Sequence, residues 1–202
     1  MKCSGDKWSS LQTVLAAWGV FPPLQGLAFG CFGSFILYWN GEIVPISNRK
    51  AGELLALLLA RGGGPVHKIT AAQTLWPGSD ESHAMDNLYK ICGALRRVIR
   101  QGVPIPLNIQ RDILTLDTRE MDSDVRRFEA LYQQRGNIAC CQEAVALYKG
   151  PFLFEEYYEW TAQIEAYYDL RYLELLHIIV RHLSETGDPG ASYYQMLLNQ
   201  GQ

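Results

Sequence analysis

Leu88, Cys92, Leu95 and Ile99 recur at i, i+4, i+7 and i+11 within residues 84–100, a spacing that an α-helix gathers onto one face. A stripe of that width has to be buried, so the helix needs a surface to lie on. Its other side carries Asn87, Lys90, Ala94 and Arg97, with Arg96 and Arg100 toward the flanks. The segment is therefore a rod anchored along one face and cationic on the other.

The flanking sequence supplies the surface. Asn40-Gly41 stands between two β-prone runs in FGSFILYWNGEIVPIS, and Asn-Gly suits the positive φ angles of a two-residue hairpin turn. Ser47 or Asn48 then caps a helix, NRKAGELLALLLARGGG, in which Leu54, Leu55, Leu58 and Leu59 make the apolar face and three glycines stop the run. A second short helix, HKITAAQTLWP, turns Ile69, Ala72, Leu75 and Trp76 inward and ends before Pro77. The polar loop GSDESH leads into residues 84–100, and PLNIQRDILTLD reads as a hairpin around Arg111-Asp112. The expected order is strands, three helices, hairpin.

From Met121 onward the pattern reads as helical, with breaks at Gly136-Asn137, Gly150-Pro151 and Gly187-Asp188-Pro189 and a long aromatic-rich helix over residues 156–185. Helix pairs broken in this way resemble stacked tetratricopeptide hairpins in texture, without a clean 34-residue repeat. Charge divides along the same line. Residues 25–117 carry a net +2 and residues 118–202 a net −6, so a polyanion would meet the first part.

Other chemistries find little support. Cys3, Cys31, Cys92, Cys140 and Cys141 contain no CxxC pair and no zinc spacing, which fits reduced thiols in a cytoplasmic protein. His177 and His182 lie five apart, so neither a metal nor a cofactor is expected. GxxxxGK[ST], GxSxG and HExxH are all absent, and Glu155/Glu156 stand among aromatics without a nucleophile, so the chain does not read as an enzyme. The apolar run at 11–21 is too short to span a bilayer, and Pro22-Pro23 follows where a cleavage site would stand. Residues 1–24 read as an extension or linker.

A short helix followed by a longer one with a basic face is the arrangement that helix-turn-helix proteins insert into the DNA major groove, which is about 12 Å wide. The hairpin would be the wing, with Gln110 and Arg111 at its tip reaching the neighbouring minor groove or its phosphates. LALLLARGGGPVHKITAAQTLWP, NLYKICGALRRVI and the strand pair ending ILTLD resemble, in order and spacing, the OmpR/PhoB-type winged helices. Within them the closer likeness is to the antibiotic-regulatory-protein (SARP) branch, in which a bacterial transcriptional activation domain comes next. MDSDVRRFEALY, LYKGPFL, EWTAQIEAYYDLRYLELL and GDPGASYYQMLL look like that domain, in a version shorter than usual, which reads either as truncated or as relying on a partner for its last face.

The resemblance implies an α+β winged helix-turn-helix domain at 25–117 and an all-α, tetratricopeptide-like domain at 118–202. It also implies a transcriptional activator that binds double-stranded DNA as a homodimer or tandem pair and touches RNA polymerase or another regulatory protein. Residue by residue, it puts Lys90 and Ala94 toward bases and Asn87 and Arg96 toward the backbone. Trp76 falls where the second helix meets phosphate, and Arg97 joins the same face. Two features depart from what the resemblance implies: Ala94 stands where family members often carry a longer polar or basic side chain, and Asp80, Glu81 and Asp86 bring negative charge near the presumed phosphates. They leave a second reading open, a protein-interaction adaptor with a degenerate winged helix. For the tyrosines and tryptophan from Tyr157 to Tyr194, helix packing is the expected use and a ligand or peptide groove the alternative.

Overall fold

The computed structural model describes residues 22–23, 25–119, 121–154 and 158–200. The apolar run at 11–21, Cys3, Glu155, Glu156 and Tyr157 lie outside the described residues.

Strands β1 (Leu27–Gly30), β2 (Ile36–Trp39) and β3 (Glu42–Val44) form an antiparallel meander in which Leu27 faces Trp39 and Leu37 faces Val44. Asn40 (φ 52°) and Gly41 (φ 80°) make the tight turn expected of them, both in the left-handed region that matches the twist of the flanking strands. Helix α1 (Arg49–Ala60) is buried along residues 51–59, on every side rather than on one leucine face. It lies at the centre of the first region, and Gly62 and Gly63, both with positive φ, turn the chain away from it.

Helix α2 (Lys68–Leu75) buries Ala71, Ala72 and Leu75. Ile69, expected to point inward, is 46% exposed: at the second helical position it lies on the outer side of the first turn, and Ala71 takes its place in the core. Helix α3 (Glu81–Arg100) begins three residues before the expected start, because the Asp80 carboxylate accepts from the backbone N–H of Ser82 (3.1 Å) and His83 (3.4 Å). That cap satisfies donors the first turn would leave open. Its apolar stripe is the predicted one, with Leu88, Cys92 and Leu95 fully buried and Ile99 partly so.

Strands β4 (Val66–His67), β5 (Leu107–Ile109) and β6 (Ile113–Leu116) make a second sheet in the order β4-β6-β5. The hairpin around Arg111-Asp112 is thus tied to the start of α2, where Val66 pairs with Leu114 and His67 with Ile113.

The helical reading from Met121 onward needs one correction. Residues Met121–Ser123 form β7, which pairs parallel to β1 and completes a sheet in the order β3-β2-β1-β7. MDS has no alternation that announces a strand; the exposed edge of β1 supplies the pairing. Then come α4 (Asp124–Tyr132), α5 (Ile138–Leu147), a 3-10 turn at Glu159–Thr161, α6 (Ala162–Thr186) and α7 (Ala191–Gln200). The long helix therefore starts at Ala162 and not at residue 156.

Between α5 and the 3-10 turn, the chain returns to the end of β1. Leu153 N–H donates to the Cys31 carbonyl (2.8 Å), Gly33 N–H donates to the Pro151 carbonyl (3.0 Å), and Phe32 bridges to Phe152. Phe32 packs edge-on against Phe128 and Tyr168, each 5.3 Å between ring centres, while Tyr148 stacks on Tyr172 at 4.1 Å. Tyr168 and Tyr172 thus serve helix packing, while Tyr167 and Tyr193 remain exposed. The first region is mixed α/β, the second is helical, and one connected core runs through both.

Candidate nucleic-acid interface

The exposed side of α3 has two flanks set by helical periodicity. Lys90 and Arg97, seven residues apart, stand over one another on one flank; Tyr89, Arg96 and Arg100 occupy the other, with Asp86 and Gly93 between. Lys90, Arg96, Arg97 and Arg100 are all exposed, and none is in an ion pair among the described residues. Lys90 Nζ donates to the Asn87 amide oxygen at 3.3 Å, which leaves Asn87 half-buried at the border of the face.

Ala94 departs from expectation. It is only 9% exposed, on the side of the helix that borders Ile91 and Val98, so no side chain there points outward with Lys90. Trp76 also lies away from this face. It ends α2, half-buried against the core, with its ring 5.6 Å from Lys50 Nζ. Lys50 itself pairs with the buried Glu53 (2.7 Å), whose other oxygen accepts from the Trp160 indole N–H at 3.1 Å. Burial pushes the Glu53 carboxyl up, against the opposing pull of Lys50 and Trp160.

Lys68 holds the hairpin tip in place. Its ammonium, nearly buried at 6% exposure, donates to the Arg111 carbonyl at 2.8 Å, and its backbone N–H donates to the Asp112 carbonyl at 2.9 Å. The Arg111 side chain is left exposed at the tip. Lys68 Nζ also sits 5.2 Å from the Tyr89 ring centre, so the tip approaches the Tyr89 flank of α3. Burial raises the Cys92 thiol pKa while the charges of Lys68 and Arg96 lower it, which puts both cations beside the same stretch of helix. Tyr89 is the residue that sequence reasoning missed. Its spacing of seven from Arg96, which sets it on the polar side of the helix, was the available signal, and in the structure it is 52% exposed.

Of the acidic residues near this face, Asp80 is engaged as the helix cap, and Asp86 remains exposed between the two cationic flanks. The arrangement can present positive charge along one helix and at one hairpin tip. It offers a polyanion several phosphate contacts and a groove several side chains.

These features define a class: a mixed α/β region that carries an exposed cationic helix beside a hairpin, joined to a helical region. Neither a protein-family model nor a curated protein sequence matches the chain. Among solved structures it is similar to EmbR of Mycobacterium tuberculosis, in a complex with a low-affinity phosphopeptide, at a TM-score of 0.69 and 19% identity. The match covers 82% of this chain and 47% of that one, so this chain spans about half of EmbR's length. At that identity the likeness is one of fold. Among the described residues no helix is long and apolar enough to cross a membrane.

Proposed function

We propose that the chain is a sequence-specific DNA-binding transcriptional regulator of the SARP type, an activator made of a winged helix and a tetratricopeptide-like activation domain. In this reading residues 25–117 are the DNA-binding unit, with α3 in the major groove and the β5–β6 hairpin as the wing. The helical part meets RNA polymerase, a second regulator or another copy of the chain, and the protein works in the cytoplasm without cofactor or catalysis. The observation that carries the reading is the set of exposed cations on α3, free of ion pairs among the described residues and flanked by a hairpin tip with Arg111. The fold shared with EmbR supports it.

Lys90 is assigned to bases, Asn87 and Arg96 to the backbone, Arg97 to the same face, and Arg111 to the minor groove or its phosphates. Tyr89 joins them as a stacking or sugar contact. Trp76 and Ala94 are left to structural roles. A titration of labelled duplex against the full chain at low salt tests the reading. Lys90→Ala is expected to weaken the specific site by roughly 1–3 kcal/mol, whereas Arg96→Ala weakens all duplexes alike and flattens the salt dependence. Parent-like binding by both variants would move the interface elsewhere.

A second reading, a protein-interaction adaptor, is favoured by two observations: Ala94 is withdrawn, and Asp86 stands between the cationic flanks. Failure to bind even random duplex at low salt selects the adaptor.

A further inference from the structure

The junction of the mixed α/β and helical regions holds a cavity of about 650 Å³, bounded by the end of α1, one side of α4 and the start of α6. Small-molecule sites occupy about 300–1,000 Å³ and favour such junctions, with mostly apolar walls and a few polar groups that fix orientation. Leu59, Val125, Phe152, Ile164 and the rings of Tyr167 and Tyr168 make the walls here, so an occupant needs an aromatic or aliphatic body. The charges at the cavity decide its polar end.

Glu129 and Arg126 both belong to the lining. Glu129 is already engaged: Arg171 pairs with its carboxylate and the Tyr167 hydroxyl bonds to it. Arg126 is exposed and in no ion pair among the described residues. Its guanidinium donates through Nη1 alone, to the carbonyls of Thr118 (2.6 Å) and Met121 (2.5 Å), and Thr118 is itself part of the lining. Those bonds anchor the guanidinium beside the cavity and leave its Nε–Nη2 edge without a partner among the described residues. Such an edge presents two parallel N–H donors, the geometry that a carboxylate accepts through both oxygens. The backbone adds charge of the same sign. Val125 and Arg126 stand in the first turn of α4, Gln163 and Ile164 in that of α6, so the positive ends of two helices border the cavity. The negative end of α1 is capped: the carbonyls of Leu57, Leu58 and Leu59 accept from the N–H groups of Arg61, Gly63 and Gly62. One uncommitted guanidinium matches one negative charge, and a dianion would bring an excess of charge beside Glu129.

We propose that this cavity binds a monoanionic aromatic carboxylate, with its rings between the apolar walls and its carboxylate on the free edge of Arg126. The walls come from both regions, so occupancy holds the two together. The site does not depend on DNA binding, and it is measured without DNA.

The probe is 2-naphthoate, with 2-naphthamide as the uncharged compound of the same shape, each titrated against the full chain by saturation-transfer NMR. Saturable one-to-one binding of 2-naphthoate is expected, with the amide about fivefold weaker, the upper end for an ion pair at an exposed arginine. Arg126→Gln should bring the naphthoate down to the affinity of the amide and leave the amide where it was, with circular dichroism confirming the fold. If that variant does not fold, the Nε–H resonance of Arg126 in the parent makes the same test, shifting with naphthoate and not with the amide. Gln163→Trp, at an exposed position of the lining, should obstruct the cavity and weaken both compounds by roughly tenfold or more. Non-saturable binding, an amide that binds as tightly as the naphthoate, an unchanged ratio of the two in folded Arg126→Gln, an Nε–H resonance that ignores naphthoate, or parent-like affinity in folded Gln163→Trp would each overturn the proposal.

Discussion

Asp124 ties two distant stretches of chain together and carries a cost for doing so. Only 4% exposed, its carboxylate accepts from the backbone N–H of Cys31 (2.7 Å), Phe32 (2.9 Å) and its own neighbour Val125 (2.7 Å). Burial pushes its pKa up to about 6, the three N–H groups pulling the other way without prevailing. The folded protein thus holds this proton more tightly than the unfolded chain, whose value is near 3.8. The contribution is fully present below the unfolded value and is lost as pH rises through about 6, which amounts to roughly 3 kcal/mol across the window. Urea unfolding at pH 4.5 and pH 7 should show this fall, and Asp124→Asn, which cannot ionise, should remove that part of the slope. An unchanged slope in the variant would mean that Asp124 does not carry it. Gly63 makes a steric case at the same scale. A Cβ there would stand 2.1 Å from the Leu116 carbonyl oxygen at φ +76°, whereas one at Gly62, φ +68°, meets nothing within 4 Å. Both alanine variants suffer backbone strain of about 1 kcal/mol, but Gly63→Ala must also displace β6. Its thermal midpoint should fall well below that of Gly62→Ala.

Among the elements, α3 depends most on a residue outside its own apolar pattern. Asp80 supplies the acceptor for two first-turn N–H groups, so Asp80→Ala should cost about 1 kcal/mol in chemical denaturation. A loss confined to a few tenths would mean the cap is redundant. The start of α3 also shows what the sequence could reveal. Leu88, Cys92 and Leu95 announced the buried face because helical spacing is local, and Asn40-Gly41 announced its turn because positive φ at both positions admits few residue types. The first turn of α3 was hidden because Glu81, Ser82 and His83 are all exposed, and polar residues at a helix start look like a loop. Met121–Ser123 was hidden for another reason: β7 exists only because β1 presents an edge, a fact stored some ninety residues away. The same holds for the candidate site. Exposed Lys90, Arg96 and Arg97 could be read from periodicity, but Ala94 lies on the border of the stripe, where neighbouring packing decides. Lys68 is silent in the sequence because a buried lysine is legible only once the hairpin carbonyl that receives its ammonium is in view.

For the whole molecule, the mixed α/β region is not closed at Asp117. Strand β7 completes its sheet, Asp124 satisfies the N–H groups of Cys31 and Phe32, and the return at Gly33, Pro151 and Leu153 covers the end of β1 from the other direction. Cutting the chain at residue 117 would open one edge of β1, leave those two N–H groups without their acceptor, and expose the Phe32 face that packs on Phe128 and Tyr168. Each orphaned backbone group costs about 1–3 kcal/mol where it stays buried, and loss of the aromatic packing adds to it. A fragment of residues 22–117 should therefore be less stable than the full chain by at least about 3 kcal/mol, a large share of what a small domain possesses. Extending it to residue 132 restores β7 and the Asp124 bonds and should recover part of that loss; only extension through α6 restores the aromatic cluster. Urea midpoints of the three chains measure this ordering directly. Equal midpoints would show that the helical region merely rests against the first, whereas a graded series means that the two regions are energetically coupled through β1. A partner docking on α6 would then act on the mixed α/β region through β1 and its bound carboxylate, with no contact of its own at α3.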